Sequence, residues 1–455
     1  MTQLDWIILV VTLLAMVAYG LYKSKTSRNL DGYFLSNRSM PWGLVLLSIM
    51  GTQASAVTFL SAPGQAYTEG MGFVQYYFGL PLAMVAICIF FVPIFSKLRV
   101  YTAYEFLENR FDGKTRTLTS LLFLMSRGLS TGLSVLAPSI ILAALLNWNI
   151  YWTNFFMGGL LIIYTITGGA KAVAYTQQLQ LIIIFTGMFL AAYMVVHMLP
   201  ENVGFVDALK VSGELGKLNV INTGISEKGI DWSGKYNLLS GIIGGFFLSL
   251  SYFGTDQSQV GRYLTARSLT ESRMGLIMNG FVKVPMQFAI LLIGALVFTF
   301  YQFNKAPIFF NKKQIDKVER SEYRDSFAVL QTRYDALAEK KQLSVAEYVK
   351  TREEGTVTET NLKATELRQL QDESDSLRNE AKRLISKAKG EPKDTDYIFL
   401  SFVMTYLPAG LVGLLIAIIF LASWGSIAAA INSLASASMV DFHRRFSKRK
   451  NDHED

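Results

Sequence analysis

The stretch GTQASAVTFLSAPGQ, residues 51–65, interrupts an apolar run that is long enough to cross a bilayer. Its centre is small, polar and β-branched, and it contains a Pro-Gly pair. A broken helix at membrane depth is tolerated only where it lines a cavity or is buried in protein. In transporters such breaks expose carbonyl oxygens to sodium and helix ends to substrate. Close helix packing through small residues accounts for the composition equally well.

The composition indicates a membrane protein. Of the 455 residues, 51% are hydrophobic and only 17% are charged. Apolar runs of roughly 20 residues are long enough to span a bilayer. The sequence predicts nine spans, at about 5–22, 42–66, 74–95, 117–146, 150–168, 177–199, 239–264, 274–302 and 407–441.

The basic residues predict the orientation of these spans. The net charge is +8, but Lys and Arg lie mostly in short loops, which indicates membrane topology and not a nucleic-acid partner. Basic segments follow each odd-numbered span, including HRRFSKRK at 443–450. We expect the protein in a cell membrane, either the plasma membrane or an inner membrane. Because cytoplasmic loops carry the excess of Lys and Arg, the N-terminus is expected outside and the C-terminus in the cytoplasm.

Residues 303–397 differ from the rest of the chain. They are highly charged, and Leu370, Leu377 and Leu384 recur at heptad spacing. This pattern predicts a helical hairpin, or two helices, outside the membrane between the eighth and ninth spans. A docking arm for a partner is the alternative interpretation. The expected division is 1–302 for the first eight spans, 303–397 for the insertion, 398–441 for the ninth span and 442–455 for a basic cytoplasmic tail.

The ninth span concentrates small and hydroxyl residues. ASWGSIAAAINSLASASMVDF, residues 422–442, places Ser426, Asn432 and Ser433 in a long apolar helix. Such side chains are costly in lipid and stable beside an ion or another helix. Hard cations prefer carbonyl and hydroxyl oxygens, and the sequence has no His/Cys cluster for a transition metal. The two unusual spans together favour a sodium site.

Three motifs resemble the sodium/solute symporter family: SAVTFLSAPGQAYTEG (55–70), ITGGAKAVAYTQQLQ (166–180) and YFGTDQSQVGRYLTARS (252–268). That family includes galactose, proline, sialic acid, iodide and multivitamin symporters. The resemblance runs from the first span to Asp441 and is interrupted only by 303–397. It implies an all-α integral membrane fold, a leucine-transporter-type inverted repeat with an extra N-terminal helix.

The resemblance also implies a sodium site between the first and eighth core helices. By motif position, the ligands fall on Gly51 and Ala54, and on Ala422, Gly425 and Ser426. Gly425 is a departure, because the family usually has serine there. One hydroxyl is therefore missing, and we expect weaker sodium binding or a water in its place.

A second sodium site, present in some relatives, is not expected. It needs an aspartate in the WTD motif and further serines on the eighth core helix. Here the motif is YTQ, with Gln177 in place of the acid. Ala428 and Ala429 stand where hydroxyls would be needed.

The resemblance implies candidate solute-binding residues as well. Ser55, Thr58 and Phe73 match positions used by sialic acid symporters, whereas Tyr77 replaces their polar amide. Lys283 matches a lysine that contacts sugar in galactose symporters. Other sugar-binding side chains of those proteins are replaced, by Asp256 among others, so galactose itself is not expected.

Arg127 stands out on physical grounds. It lies about ten residues into the fourth span, roughly 15 Å deep at helical rise. A mid-membrane arginine costs roughly 2.5 kcal/mol or more, so it must face a cavity or a partner. Either it pairs with Asp256 or it binds a carboxylate. With Lys283 at similar depth and one evident acid, the sequence predicts an anionic solute, a sugar acid or small carboxylate.

The family's inverted repeat has ten core helices, and the resemblance in this chain extends over eight. We therefore expect an incomplete second repeat: a fragment or shortened chain, a transporter completed by a partner, or an inactive member. The leading prediction is a sodium-coupled symporter, and the alternative is a transporter-like solute sensor. No nucleophile–base pair or phosphate-binding loop indicates an enzyme.

Overall fold

A computed structural model describes residues 1–23, 29–146, 148–166, 168–226, 229–230 and 236–446. The described chain is almost entirely helical, with one short antiparallel hairpin formed by β1 (Ile225–Ser226) and β2 (Gly229–Ile230). The helices are α1 (Gln3–Lys23), α2 (Leu30–Leu35), α3 (Trp42–Gln53), α4 (Ala56–Glu69), α5 (Leu80–Leu98), α6 (Glu105–Arg110), α7 (Gly113–Leu146), α8 (Ile150–Ile166), α9 (Gly169–His197), α10 (Phe205–Glu214), α11 (Gly245–Thr255), α12 (Gln257–Tyr263), α13 (Leu269–Phe303), α14 (Lys312–Glu319), α15 (Arg324–Glu354), α16 (Val357–Lys387), α17 (Thr395–Tyr406), α18 (Leu411–Ala437) and α19 (Arg444–Phe446).

Seven of the nine predicted spans are long and apolar enough to cross a membrane in the described chain. Six are continuous, and the seventh is the bent pair of α3 and α4. The predicted span 150–168 is the shorter helix α8, of 17 residues. The predicted span 239–264 is interrupted at Asp256, between α11 and α12. The chain is thus a multi-pass membrane protein, and one of the spans in its described part is bent at a break.

The break predicted within residues 51–65 lies at Ala54 and Ser55. Both residues take extended backbone angles, and the helix axes on either side differ by 65°. The Pro-Gly pair does not break the helix, although its presence was part of the reason to expect a break in this stretch. Pro63 lies inside α4, and its neighbour Gly64 lets the Thr395 carbonyl approach where a Cβ would collide. The pair therefore serves packing against α17.

Helix α18 lies at the centre of the molecule and is buried along most of its length. Its start is fixed by Asp5 on α1, whose Oδ1 accepts hydrogen bonds from the Gly410 and Gly413 amides at 2.7 and 3.1 Å. A carboxylate at a helix start satisfies otherwise unpaired amides and interacts favourably with the helix dipole. The extra N-terminal helix is thereby attached to the helix that carries the predicted sodium ligands.

The other end of α18 is fixed by a buried carboxylate. It continues into a π-helical turn, Ser438–His443, which contains the fully buried Asp441. Asp441 pairs with Arg116 at 2.7 Å and accepts hydrogen bonds from Ser120 and Thr102 at 2.8 Å each. Since Arg116 and Ser120 belong to α7, this cluster joins the end of α18 to the start of α7.

Residues 312–387, here called the arm, contain α14 and the long helices α15 and α16. The two long helices pack side by side, with Leu377 buried between them and Leu370 and Leu384 half-buried. The arm contacts the membrane core through an ion pair between Arg352 and Asp207 of α10, at 2.6 Å. The predicted range 398–441 for the ninth span contains two helices, because α17 ends before α18 begins.

Candidate functional site: a charged cavity beside a broken helix

A cavity of about 650 Å³ lies between the 3-10 turn Met71–Tyr77 and helices α7, α11 and α13. Most of its lining is aromatic or hydroxylic, which suits a small organic molecule. One wall reaches Thr119, in the second turn of α7. Five of the seven predicted solute-binding residues line it: Phe73, Tyr77, Arg127, Asp256 and Lys283.

The remaining two candidates, Ser55 and Thr58, are not among the residues that line this cavity. They lie at the start of α4, where the Ser55 amide donates to the Thr58 hydroxyl at 3.5 Å. Hydroxyl residues at this position satisfy amides at the start of a helix. Their local role is therefore to begin α4 immediately after the break.

Of the two roles considered for Arg127, the structure contains the ion pair with Asp256, and carboxylate binding stays a prediction. Its guanidinium pairs with the carboxylate of Asp256, and it lies 5.6 Å from the centre of the Tyr252 ring. Asp256 also accepts hydrogen bonds from the amide and hydroxyl of Ser258, at 2.8 and 2.6 Å. The break between α11 and α12 thus positions the acid that neutralises the buried arginine.

Lys283 is left without an acidic partner. Its side chain on α13 is 2% exposed, and its Nζ lies 5.8 Å from the centre of the Tyr77 ring. No carboxylate within the described part of the chain forms an ion pair with it. Because Arg127 and Asp256 neutralise each other, the ionisable side chains of the cavity leave one positive charge, on Lys283. A buried charge of this kind calls for a compensating anion.

Of the predicted sodium ligands, Gly51 on α3 and Gly425 on α18 lie close together beside the break; the sodium site itself stays a prediction. Helix α3 ends at Gln53. Within the described chain, no backbone amide beyond the hydrogen bonds inside the helices donates to the carbonyl of Gly51 or Ala54. The Gly51 oxygen lies 3.4 Å from the position that a Cβ at Gly425 would take. Ser426, one residue further along α18, carries the hydroxyl of the predicted set. Carbonyl and hydroxyl oxygens of this kind would suit a hard cation.

The Ser426 hydroxyl currently donates to the carbonyls of Ser423 and Ala422, at 3.0 and 3.3 Å. It lines a second, small cavity of about 40 Å³ whose walls carry several further hydroxyls, including that of Thr52. Arg127 lines this small cavity as well as the large one. Arg127 is therefore shared by the walls of the two cavities.

Gln177 occupies the place where a second sodium site would need an acid. Its amide nitrogen donates to the Thr52 hydroxyl and the Gly425 carbonyl at 3.2 and 3.0 Å, and its oxygen accepts from Ser48 at 2.8 Å. It packs so closely against Gly51 that a Cβ there would lie 2.7 Å from its side chain. The Gln177 amide protons are thus directed at the Thr52 hydroxyl and the Gly425 carbonyl.

Two residues near these sites were not found by sequence reasoning. Thr52 lines the small cavity, and Gln180, on α9, reaches Gly425 on α18. Gln180 follows Gln177 by three residues, so the two lie on one helical face. That spacing was the only signal available in the sequence, and it does not reveal which helix the face meets.

A broken helix beside hydroxyls and a charged cavity are features found in membrane transporters. The Sodium:solute symporter family model matches residues 33–322, and the chain belongs to this family.

Among its relatives, the sodium/glucose cotransporter of Vibrio parahaemolyticus is 26% identical over 64% of this chain and 54% of its own. A sodium/sialic acid symporter of Aliivibrio fischeri is 27% identical over 66% of this chain and 58% of its own. The chain thus spans a little over half the length of these relatives.

The fold class is confirmed by a solved structure. The substrate-bound outward-open state of a Na⁺-coupled sialic acid symporter superposes with a TM-score of 0.74. The match covers all of this chain and 76% of the other, at 22% sequence identity. The predicted leucine-transporter-type architecture is therefore correct.

Proposed function

We propose that this chain forms the transport core of a sodium-coupled symporter that carries a small anionic solute. The observation that carries the proposal is the broken helix. The Gly51 carbonyl approaches α18 at Gly425, one residue before Ser426, and Arg127 lines both the small cavity at Ser426 and the large cavity whose ionisable groups leave one positive charge. Sodium and solute would then bind at neighbouring positions separated by Arg127.

Sodium is held by the carbonyls of Gly51, Ala54 and Ala422 together with the Ser426 hydroxyl. One sodium ion accompanies each solute, because the Gln177 amide fills the second position with hydrogen-bond donors. Sodium stabilises an outward-open state, and the solute then favours closure and rocking toward the inside. Such coupling requires a difference in affinity between the two states and no chemical reaction.

The solute is a sugar acid or a small carboxylate. Lys283 supplies the positive charge, and Phe73 and Tyr77 supply aromatic surface in the same cavity. The names of the relatives are compatible with this choice, since they include sialic acid symporters and sodium-coupled monocarboxylate transporters. A charge-assisted hydrogen bond to a carboxylate is about twice as strong as a neutral one.

The protein lies in the plasma or inner membrane, with the N-terminus outside and the C-terminus in the cytoplasm. In this orientation the Thr119 wall of the large cavity lies toward the cytoplasm. The arm then lies on the outer surface.

Reconstituted vesicles test the proposal. With a sodium gradient directed inward, radiolabelled sugar acids and monocarboxylates should accumulate, and an equal potassium gradient should give no accumulation. Sodium-dependent binding of the same compounds without accumulation would contradict transport and favour the alternative, a solute sensor. Absence of both binding and uptake with every carboxylate tested would contradict the anionic solute.

A further inference from the structure

A polar cavity of about 710 Å³ lies where α2 and α5 end and α13 begins. Its charged lining consists of three arginines, Arg38, Arg99 and Arg267, and one carboxylate, Asp31. None of the four lines the large or the small cavity described above. The proposed function therefore leaves this cavity without a role.

The positive charges of Arg38 and Arg99 are poorly compensated. The Arg38 guanidinium donates to the carbonyls of Arg99 and Val100 at 3.0 and 3.1 Å, which positions the charge without neutralising it. Its Nε lies 3.8 Å from the Asp31 carboxylate, beyond the roughly 2.8 Å of a charge-assisted hydrogen bond. In the described part of the chain no carboxylate forms an ion pair with Arg99, an exposed residue at the end of α5.

Arg267 differs, because it has an acid of its own. Its Nε lies 2.9 Å from the carboxylate of Glu271, in the first turn of α13. With Glu271 included, three arginines are accompanied by two carboxylates, so one positive charge remains at the cavity. The wall also includes Ser268 and Leu269, where the 35-residue helix α13 begins. The amides and the dipole at a helix start favour an anion.

Exposed apolar side chains indicate that the membrane surface lies at the level of this cavity. The other oxygen of Glu271 accepts a hydrogen bond from the amide of Trp42, the first residue of α3. Trp42 is 41% exposed, and so is Leu98, the last residue of α5. Exposed tryptophans at the ends of transmembrane helices are typical of the membrane–water interface. A basic pocket between helices at that level is typical of a site for a lipid headgroup.

We propose that this cavity binds the phosphate-bearing headgroup of an anionic phospholipid. Arg38 and Arg99 supply the charge, since guanidinium groups match the geometry of phosphate oxygens. The acyl chains lie against the outside of the bundle, near Leu98. The lipid belongs to the cytoplasmic leaflet under the orientation proposed above; the leaflet rests on that proposal, and headgroup binding does not.

Titration of the purified full chain in a neutral detergent tests the proposal. Short-chain phosphatidylglycerol is the probe, and phosphatidylcholine of equal chain length is the reference. The readout is the unfolding temperature, since a ligand of the folded state stabilises it by mass action. Phosphatidylglycerol should raise the unfolding temperature saturably, and phosphatidylcholine should raise it far less. Equal responses to the two lipids would overturn the proposal.

Variants locate the site. Arg99→Gln should raise the half-saturating concentration of phosphatidylglycerol about fivefold, the loss expected for one basic residue near an anionic surface. Arg110→Gln, at an exposed arginine that ends α6 outside the cavity, is the matched control and should leave the titration unchanged. Ser96→Glu adds an acid to the exposed wall, so it should weaken binding by a similar factor, and it serves if Arg99→Gln does not fold. Equal shifts in Arg99→Gln and Arg110→Gln would show a general attraction to the protein surface and overturn the site.

Inorganic phosphate separates a lipid ligand from a soluble anion. At the concentrations at which phosphatidylglycerol saturates, inorganic phosphate should leave the unfolding temperature unchanged. A saturable rise with phosphate at those concentrations would show that the ligand is a soluble anion and overturn the lipid site. Failure of the proposed function is recognised separately: a chain without sodium-dependent uptake that retains the phosphatidylglycerol response contradicts transport and supports the lipid site.

Discussion

Arg127 of α7 forms an ion pair with Asp256, the residue at the break between α11 and α12, and the same guanidinium lines both the large and the small cavity. Both side chains are largely buried. Each one stabilises the other in a region where an unpaired charge is costly. Loss of either partner should therefore affect folding stability as well as solute binding.

A double-mutant cycle measures this pair. Arg127→Met and Asp256→Asn should each lower the free energy of unfolding in detergent, and the double variant should lose less than the sum. We expect a coupling energy of about 1–3 kcal/mol for such a partly buried pair. The more exposed pair Lys305–Asp335, with 3.0 Å between Nζ and Oδ1, is the control and should give about 0.2–1 kcal/mol. Additive effects at Arg127 and Asp256 would contradict the ion pair.

Ser426→Ala should raise the sodium concentration needed for half-maximal uptake by about tenfold or more, because one of few oxygen ligands is lost. Ser423→Ala removes a neighbouring hydroxyl of α18 that bonds to the Ile419 carbonyl at 3.1 Å. That control should retain the sodium dependence of the wild type. Identical sodium titrations for both variants would remove Ser426 from the site.

Lys283→Met should abolish competition by carboxylates while Lys283→Arg retains part of it, since the charge remains. A hydrogen bond to a charged group contributes about 1.5–3 kcal/mol, which corresponds to roughly ten- to a hundredfold in Kd. The measurement is displacement of a bound radiolabelled sugar acid by a panel of carboxylates and neutral hexoses. Displacement by neutral hexoses and not by carboxylates would show that the solute is not an anion.

The arm should become more stable at alkaline pH because of Lys341. Burial between α15 and α16 lowers the pKa of Lys341 to about 8, with Asp375 opposing the shift and Arg378 and Lys217 adding to it. Its Nζ donates to Gln371 at 3.0 Å. Below the pKa of Lys341 in the folded state, the lysine is charged in both the folded and the unfolded state. The folded state then carries the full free-energy cost of burying the charge. Between that pKa and the unfolded value, about 10.4, the folded state loses the proton first, and stability rises.

The expected result is a difference in unfolding temperature between the wild type and Lys341→Met that narrows as the pH rises from about 8 to about 10. Lys340→Met, on the exposed side of the same helix, is the control. A difference that stays constant over this range would show that Lys341 titrates as an exposed lysine does.

The broken first core helix could be predicted from sequence because small and polar residues inside an apolar run are costly in lipid unless they face a cavity or another helix. The break lies about two turns before the Pro-Gly pair, because a glycine beside Pro63 lets α17 pack against an unbroken α4. The charged cavity could be predicted for a similar reason. Arg127, Asp256 and Lys283 are costly in lipid, so each must face a partner or a cavity.

The contacts of Ser55, Thr58 and Gln180 could not be predicted in the same way. Ser55 and Thr58 share residue type with solute-binding positions, but the backbone break turns them toward the start of α4. The oxygen of Gln180 meets Gly425 across 245 positions of sequence. Only the packing of α9 against α18 determines that contact, and helical periodicity identifies a face without identifying its neighbour.

Equilibrium binding of radiolabelled sodium to the purified chain tests the central claim most directly. The wild type should bind one sodium ion per chain at saturation, because the broken helix and α18 form one site and Gln177 fills the position of a second. Ser426→Ala should lose this binding at the concentration that half-saturates the wild type. Saturation at two ions per chain, or no saturable binding in conditions where the protein is folded, would contradict the account.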